Sequence, residues 1–312
     1  MKKEILDEVI ACLPEERTLF HYFKGQYAFH LLSFATRQRS TVNAIKQSHF
    51  QHLLNQPDVK SLLAFQGSGK LSPELFEHAW KKDSQAFVLT VDKWGDNNRW
   101  HYQTTRKGCN LVLQLNFSEK HNRAYQQLVQ PNGDYVFNYS GHPVMVRQKR
   151  ELFRETLAWA RIDFDLEQGE ALIEEIQSDW VRRVKHCLQS IKRGSTPWYL
   201  TWCKCKPEDF VTYAENVFSP FNNMWQEAML TAAIRFIHTE LGIDRIYYHT
   251  HESGRRIKRV CGDGPPRSLY SDLPRKFCFQ MTDEDPMFIK NDRFFKRKKR
   301  SLKQLAWYQL AL

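Results

Sequence analysis

The sequence has little of what would place it in a specialised structural class. Its 312 residues include only 13 glycines and 12 prolines, too few for a collagen-like or low-complexity chain. No uninterrupted apolar run of about 18 residues occurs, so we expect no membrane-spanning helix. The seven cysteines are odd in number and lack the spacing of a disulfide framework, so we expect reduced thiols in a cytoplasmic protein.

What the sequence does contain is enough apolar surface for a core and an excess of positive charge. Hydrophobic residues make up 42% and aromatic residues 13%, which excludes a disordered chain. Lys and Arg number 46 against 35 Asp and Glu, which leaves a net charge of +11. This balance favours a polyanionic partner, most simply nucleic acid. A basic surface that only aids solubility is the alternative.

Hydrophobic periodicity divides the chain into three parts. Residues 1–85 have apolar residues at three- and four-residue intervals and predict a helical N-terminal region. Residues 86–290 predict an α+β core domain, including a strand at 100–104 and a helix over 222–241 with one continuous apolar face. Residues 291–312 predict a basic C-terminal tail. The fold class predicted is α+β, with a mixed central sheet and packed helices.

The most unusual segment is a predicted hairpin whose second strand is rich in polar residues. Residues 156–164 and 171–180 are its predicted strands, with turn residues at 167–170 between them. Side chains alternate along a strand, so three polar groups of the second strand share one face. Two buried carboxylates on one face would require a cation, a metal or a substrate. The three residues are Glu175, Gln177 and Asp179.

Arg161 on the first strand is the predicted partner of this polar face. A turn near 167–168 places it opposite 174–175, within cross-strand reach. We predict a catalytic site in which Glu175 acts as acid, base or ligand, Arg161 orients it or binds an anion, and Gln177 hydrogen-bonds the substrate. An ordinary ion pair on a solvated strand face is the alternative.

Four motifs in a fixed order carry a resemblance to a known family. Together they resemble a domain found in large polyvalent proteins of phages and mobile elements. The resemblance covers about 150–280 and implies a mobile-element or prophage setting, without a defined activity. Relatives often have T-T-G-E where this chain has H-T-H-E-S-G at 249–254, so a function of that loop would differ. The motifs are E-E-I-Q-S-D-W at 174–180, P-F-x-x-x-W at 220–225, G-I-D-x-I at 242–246 and Y-x-x-L-P at 270–274.

The order of predicted elements carries a second resemblance. Strand, strand, long helix, strand, short helix, strand is similar to the second half of the acetyltransferase fold related to histone acetyltransferases. In that fold the start of the long helix holds the pyrophosphate of acetyl-CoA. Residues 219–228 contain no glycine that would allow such a close approach. The resemblance therefore implies an acyltransferase-like fold without identifying a cofactor.

Two patterns suggest metal chemistry. Asp163 or Asp165, followed by E-I-Q at 175–177, resembles the D…E-x-K arrangement of Mg²⁺-dependent nucleases, with Gln in place of Lys. The C-x-C pair at 203–205 lacks the usual zinc-site spacing and a second pair, so we predict no metal site there.

Two histidines at a predicted strand end form the last candidate site. His249 and His251 alternate and therefore share a face, which suits a general base, a ligand pair or simply a polar strand exit. The predicted catalytic residues are Arg161, Glu175, Gln177, Asp179 and His249.

Two basic runs predict where nucleic acid would bind, and Trp198, Tyr199 and Trp202 are available for stacking on bases. The first functional prediction is therefore a cytoplasmic, mobile-element-type protein that acts on or near nucleic acid. The alternatives are an acyltransferase-like enzyme, a metal-dependent nuclease and a non-catalytic binding module. The predicted nucleic-acid-binding residues are Arg255, Arg256, Lys258, Arg259, Lys296, Arg297, Lys298, Lys299 and Arg300.

Overall fold

One mixed sheet organises the chain. The computed structural model describes residues 1–13, 18–78, 81–95, 103–146, 153–258, 266–300, 302 and 304–312. The strands within these residues are β1 (Thr18–Tyr22), β2 (Gln85–Trp94), β3 (Asn110–Phe117), β4 (Thr156–Asp165), β5 (Glu170–Gln177), β6 (Arg245–His249), β7 (Gln280–Thr282) and β8 (Trp307–Ala311). Their order across the sheet is β1-β2-β3-β4-β5-β6-β8-β7.

Helices connect the strands and pack against the sheet. Among the described residues, none of them is both long and apolar enough to cross a membrane. The π-helical turns Tyr213–Phe218 and Phe236–Glu240 flank the longest helix, so the helix predicted over 222–241 belongs to a longer helical segment. The 3₁₀ turns are Gln51–Asn55, Trp198–Trp202 and Arg267–Tyr270. The α-helices are α1 (Lys3–Cys12), α2 (Tyr27–Thr36), α3 (Val42–Lys46), α4 (Pro57–Ala64), α5 (Glu74–Glu77), α6 (Glu119–Leu128), α7 (Asp179–Lys192), α8 (Pro207–Thr212), α9 (Ser219–Arg235), α10 (His251–Ile257), α11 (Asp272–Lys276), α12 (Met287–Lys290) and α13 (Arg293–Lys299).

The sheet changes from antiparallel to parallel between β5 and β6. Strands β1 to β5 pair antiparallel in chain order, and β6, β8 and β7 also pair antiparallel. β5 and β6 run parallel. Parallel neighbours need a long crossover, which α7, α8 and α9 supply here. The predicted α+β class with a mixed sheet and packed helices is confirmed.

The two outer parts of the sequence both contribute strands to the sheet. β1 lies inside the predicted helical region 1–85 and pairs with β2. β8 lies inside the predicted tail 291–312 and pairs with β6 on one side and β7 on the other. Trp307 and Leu310 are buried there, so tertiary packing of a few apolar residues makes this segment a strand. The strand predicted at 100–104 lies mainly outside the described residues.

The longest helix, α9, packs against the strands at the centre of the sheet, which include the polar strand β5. α9 packs across β3, β4 and β5, and Ala228 and Ala233 on it are completely buried. Beside it lies Trp180, in the first turn of α7. Its indole donates to the Tyr213 hydroxyl at 2.9 Å, and its ring packs edge-on against Phe117. Buried aromatic clusters of this kind contribute large apolar areas with defined geometry. The packing of α7 and α9 therefore fixes where β5 ends.

Candidate functional site

A β-bulge in β5 separates two neighbouring glutamates. Arg161 lies opposite Glu175, as predicted, but the next residue of β4, Ile162, lies opposite Ile173. Glu174 is therefore the extra residue of a bulge, which redirects side chains locally. Glu174 is completely buried, whereas Glu175 is partly exposed. The two carboxylates consequently belong to different environments.

The polar strand ends earlier than its alternation predicts. β5 stops at Gln177, and Ser178 caps α7 by accepting a hydrogen bond from the Val181 amide at 3.1 Å. Its hydroxyl also donates to the Leu157 carbonyl at 2.5 Å, which ties the helix start to β4. Asp179 is therefore the first residue of a helix and does not share a strand face with Glu175.

A cleft of about 1020 Å³ opens where β5 and β6 diverge. Their parallel pairing ends at Ile173 and Tyr248, while β5 continues to Gln177 without a partner on that side. Glu175 and Gln177 border the cleft, together with residues of α7, α9, α10 and the Arg267–Tyr270 turn. Crevices at points where sheet connectivity changes are common ligand sites in proteins that contain parallel strands.

Arg161 lies at the base of this cleft, and the hydrogen bonding of its guanidinium group is incomplete. The residue is completely buried, and its Nη2 donates to Glu175 Oε2 at 2.5 Å and to the Gln103 carbonyl at 3.0 Å. Its guanidinium also lies 5.0 Å from the Trp94 ring centroid. Nε and Nη1 of Arg161 are buried and make no hydrogen bond to any described residue. Buried donors without an acceptor are costly, so this arrangement favours a ligand that brings acceptor atoms.

Glu175 is the counter-ion of Arg161. Burial favours its neutral form, but attraction to Arg161 and then to Lys258 outweighs burial and holds the pKa of Glu175 below its usual value. A carboxylate with a lowered pKa is a weak base and is unprotonated at neutral pH. The geometry therefore fits the predicted anion-binding role of Arg161 better than a role for Glu175 as general acid.

His142 is a site residue that the sequence interpretation missed. It borders the cleft, and its Nδ1 lies 2.6 Å from Oδ2 of the buried Asp179. A contact this short requires a proton on Nδ1, which leaves Nε2 as the ring nitrogen that can accept or release a proton. Gln177 and Arg182 both donate to Asp179 Oδ1, at 3.0 and 2.6 Å. Asp179 thus positions His142 instead of lining the cleft itself.

The electrostatics of Asp179 fit this positioning role. Burial favours the neutral acid, but the hydrogen bond and attraction to His142, followed by Arg182, hold the pKa of Asp179 below its usual value. No local sequence pattern points to His142, because it lies in an irregular segment far along the chain from its partner. The polar residues Ser178 and Asp179 at the start of α7 are the sequence feature that points to this part of the site.

The predicted catalytic residue His249 lies in a buried ionic network and not in the cleft. Its Nε2 is 3.1 Å from Oε2 of Glu174, and Lys258 Nζ is 3.4 Å from the same oxygen. The Thr105 amide and hydroxyl donate to the two oxygens of Glu174 at 2.7 and 2.9 Å. Burial and then Lys258 lower the pKa of His249 to about 4, so this imidazole is neutral at pH 7.

The expectation that His249 and His251 share a face is wrong. β6 ends at His249, and Thr250 caps α10 by accepting a hydrogen bond from the Ser253 amide. The backbone changes direction between the two histidines, so strand alternation no longer applies. His249 points into the core and His251 borders the cleft.

The two basic runs do not form one surface. Lys258 belongs to the buried network, and the buried Lys298 donates to the Thr104 carbonyl at 2.9 Å. Lys299 is ion-paired with Asp285. Arg259 lies outside the described residues. The exposed members of the two runs are Arg255, Arg256, Lys296, Arg297 and Arg300.

Four exposed cations from separate segments instead surround the cleft. Arg182 and Lys185 project from α7, Arg255 from α10 and Arg267 from the Arg267–Tyr270 turn. Glu175 is the single acidic residue of the described lining, and it is already neutralised by Arg161. The tertiary structure thus brings together cations from three separate segments, and only Arg255 among them belongs to a predicted basic run.

The residues of the two sequence patterns that suggest metal chemistry do not form a metal-binding cluster among the described residues. Asp163 accepts two hydrogen bonds from Arg106, at 2.7 and 3.0 Å, and does not border the cleft. Cys203 lies in an antiparallel bridge with Pro131. Within the described ranges, no group of three or more His, Cys, Asp or Glu side chains is arranged to hold a metal ion.

No protein-family model, curated protein or solved structure matches this chain.

Proposed function

We propose that this protein binds nucleic acid, with a phosphate group held in the cleft above Arg161. The observation that carries the proposal is a completely buried arginine with two unpartnered nitrogens beneath a rim of exposed cations. Guanidinium groups bind phosphate oxygens through charge-assisted hydrogen bonds, which would satisfy these donors.

The rest of the cleft suits a nucleotide. Trp159, Trp225 and Tyr270 border the cleft and present aromatic surface. Bases stack on such surface, while cations contact the phosphates. The motif resemblance to phage and mobile-element proteins supports the same setting, a prophage-type protein working in the cytoplasm.

In this proposal His142 is the group that moves a proton. Its Nδ1–H bond to Asp179 fixes the tautomer, so Nε2 can serve a substrate in the cleft. Arg161 holds the phosphate, Glu175 orients the Arg161 guanidinium, and Gln177 keeps Asp179 in place.

Binding measurements test the cation rim, which consists of the four exposed residues around the cleft, Arg182, Lys185, Arg255 and Arg267. Replacing Arg182, Lys185, Arg255 and Arg267 together with alanine is expected to weaken binding of a labelled oligonucleotide about tenfold or more at low salt. The slope of log Kd against log salt should fall by about 3, since each lost phosphate contact removes about 0.7 for a single strand. Fluorescence anisotropy over a salt series measures both quantities.

A double variant at two exposed lysines outside the cleft, Lys24→Ala with Lys60→Ala, is the matched control and should bind like the unmodified protein. The proposal is contradicted if the unmodified protein binds neither DNA nor RNA at low salt. It is equally contradicted if the cleft variant and the control lose the same affinity.

Acyl transfer is the second candidate, and the divergence of β5 from β6 favours it. The unpaired edge of β5 beyond Ile173 offers backbone groups to an extended ligand in the cleft. At the start of the long helix α9, however, residues 219–228 contain no glycine that would allow a pyrophosphate to approach the backbone. A phosphorylated acyl carrier would therefore depend on the rim cations.

Thermal unfolding distinguishes this candidate. If it is right, an acyl-CoA at saturating concentration should raise Tm by a few degrees, about 2–4 °C for each kcal/mol of binding energy. Adenosine diphosphate is the control, because it carries the pyrophosphate without the acyl arm. Equal shifts with both ligands, or no shift with the acyl-CoA, would count against acyl transfer.

A further inference from the structure

We propose that the bound nucleic acid is single-stranded and follows α7 from the cleft to an exposed aromatic turn. This inference rests on the proposed function and names the path of the strand. The aromatic turn is the 3₁₀ turn Trp198–Trp202, and the basic face of α7 comprises Arg182, Lys185, Lys192 and Arg193.

The basic face of α7 begins at the Arg182–Asp179 ion pair and carries no other acidic group. Arg182, Lys185 and Lys192 are spaced by three and seven residues, which places them on one side of a helix, and Arg193 follows at its end. All four are exposed. No acidic residue follows Asp179 in α7. The face is about 15 Å long from Arg182 to Lys192, enough for about four phosphates at the strand spacing of DNA.

His186 lies between the cleft and the aromatic turn and contacts both. It borders the cleft, and its ring packs edge-on against Tyr199 with the centroids 5.8 Å apart. Arg183 lies 4.9 Å from the same tyrosine ring. His186 therefore provides a direct link along α7 between the cleft and the aromatic turn.

The aromatic turn presents two large rings to solvent. Trp198 and Trp202 are 64% and 50% exposed, which is unusual for tryptophan. Their ring centroids are 6.2 Å apart at an interplanar angle of 72°. Rings at this angle cannot clamp one base between them, so we expect each indole to stack on its own base.

Backbone pairing holds the aromatic turn in place before any ligand arrives. Cys203 forms a bridge with Pro131, and the Asn132 amide donates to the Trp202 carbonyl at 2.7 Å. A preorganised turn loses little conformational freedom on binding. The faces of bases are accessible in single strands but are covered by stacking in a duplex, which makes single strands the fitting partner.

The test compares single-stranded and duplex probes. With a labelled oligothymidylate of about 12 nucleotides, Trp198→Ala with Trp202→Ala should weaken binding about tenfold or more, while Trp198→Phe with Trp202→Phe retains most of it. Replacing Lys185, Lys192 and Arg193 with alanine should lower the salt slope by about 2. A duplex of the same length should bind more weakly and be insensitive to the tryptophan substitutions.

Phe65→Ala is the matched control, since Phe65 is 86% exposed and does not border the cleft. Circular dichroism verifies folding of each variant. The inference is overturned if the alanine double variant binds single strands within about twofold of the unmodified protein, or if duplex binds more tightly. In either case loss of binding in the rim variant would leave the proposed function standing, whereas absence of all binding would remove both.

Discussion

Glu174→Ala is expected to lower the free energy of unfolding by about 3–5 kcal/mol, because it leaves a buried cation without its partner. Glu174 is completely buried and lies beside Lys258, His249 and Thr105. Burial raises the pKa of Glu174, but Lys258 and then His249 lower it more, so the carboxylate is charged in the fold. Removing the carboxylate leaves the buried Lys258 ammonium with its hydrogen bond to the backbone carbonyl of residue 174 but without the nearest opposite charge.

Urea unfolding at neutral pH measures the effect of this substitution. Glu252→Ala is the matched control, because Glu252 pairs with Arg256 at 2.5 Å on the exposed face of α10. Exposed pairs contribute at most about 1 kcal/mol, so the control should be nearly neutral. The double variant Glu174→Leu with Lys258→Met should recover much of the loss, since it removes both charges together. A loss for Glu174→Ala no larger than that of the control would show that the network is not desolvated.

The free energy of unfolding is expected to fall steeply as the pH drops below about 6.5. Two buried histidines remain neutral in the fold, whereas the same side chains become protonated in the unfolded chain. Burial lowers the pKa of His121 to about 3, and burial with Lys258 lowers that of His249 to about 4. Their stabilisation is complete above the unfolded pKa and is lost as the pH falls toward the folded values. Each histidine contributes about 1.4 kcal/mol per pH unit within that window.

A substitution at His121 tests the assignment. Its ring stacks on Phe117 with the centroids 3.5 Å apart, and phenylalanine can replace this contact. Urea unfolding between neutral pH and mild acid should show that His121→Phe has a shallower pH dependence, by about one proton. The exposed His78, changed to Gln, should leave the dependence unaltered. An unchanged dependence in His121→Phe would mean that His121 is protonated in the fold.

The elements that the sequence predicts best are those whose signals are local. The hairpin of β4 and β5 follows from alternating apolar residues around a short turn, and that turn sets the pairing of Arg161 with Glu175. The helix α9 likewise lies where its apolar residues predict a helix, although residues 227–234 are buried on all of its sides and not along a single face. The mixed sheet follows from the succession of these elements.

The parts that the sequence could not predict depend on contacts between distant segments. The bulge at Glu174 breaks the expected alternation, because the preceding and following pairs of β4 and β5 hold different registers. His142 reaches Asp179 from an irregular segment, and no period or spacing links them. β8 becomes a strand only because β6 and β7 present free edges to it.

Charge shows the same division between sequence and structure. The net charge of +11 and the basic runs are properties of the sequence alone, and from them we expect anionic partners. Which cations are available depends on the fold, because burial turns Lys258 and Lys298 into internal hydrogen-bond donors. Only the tertiary structure brings Arg182 and Arg267 to one cleft, since Coulomb interactions depend on distance in space and not on separation along the chain.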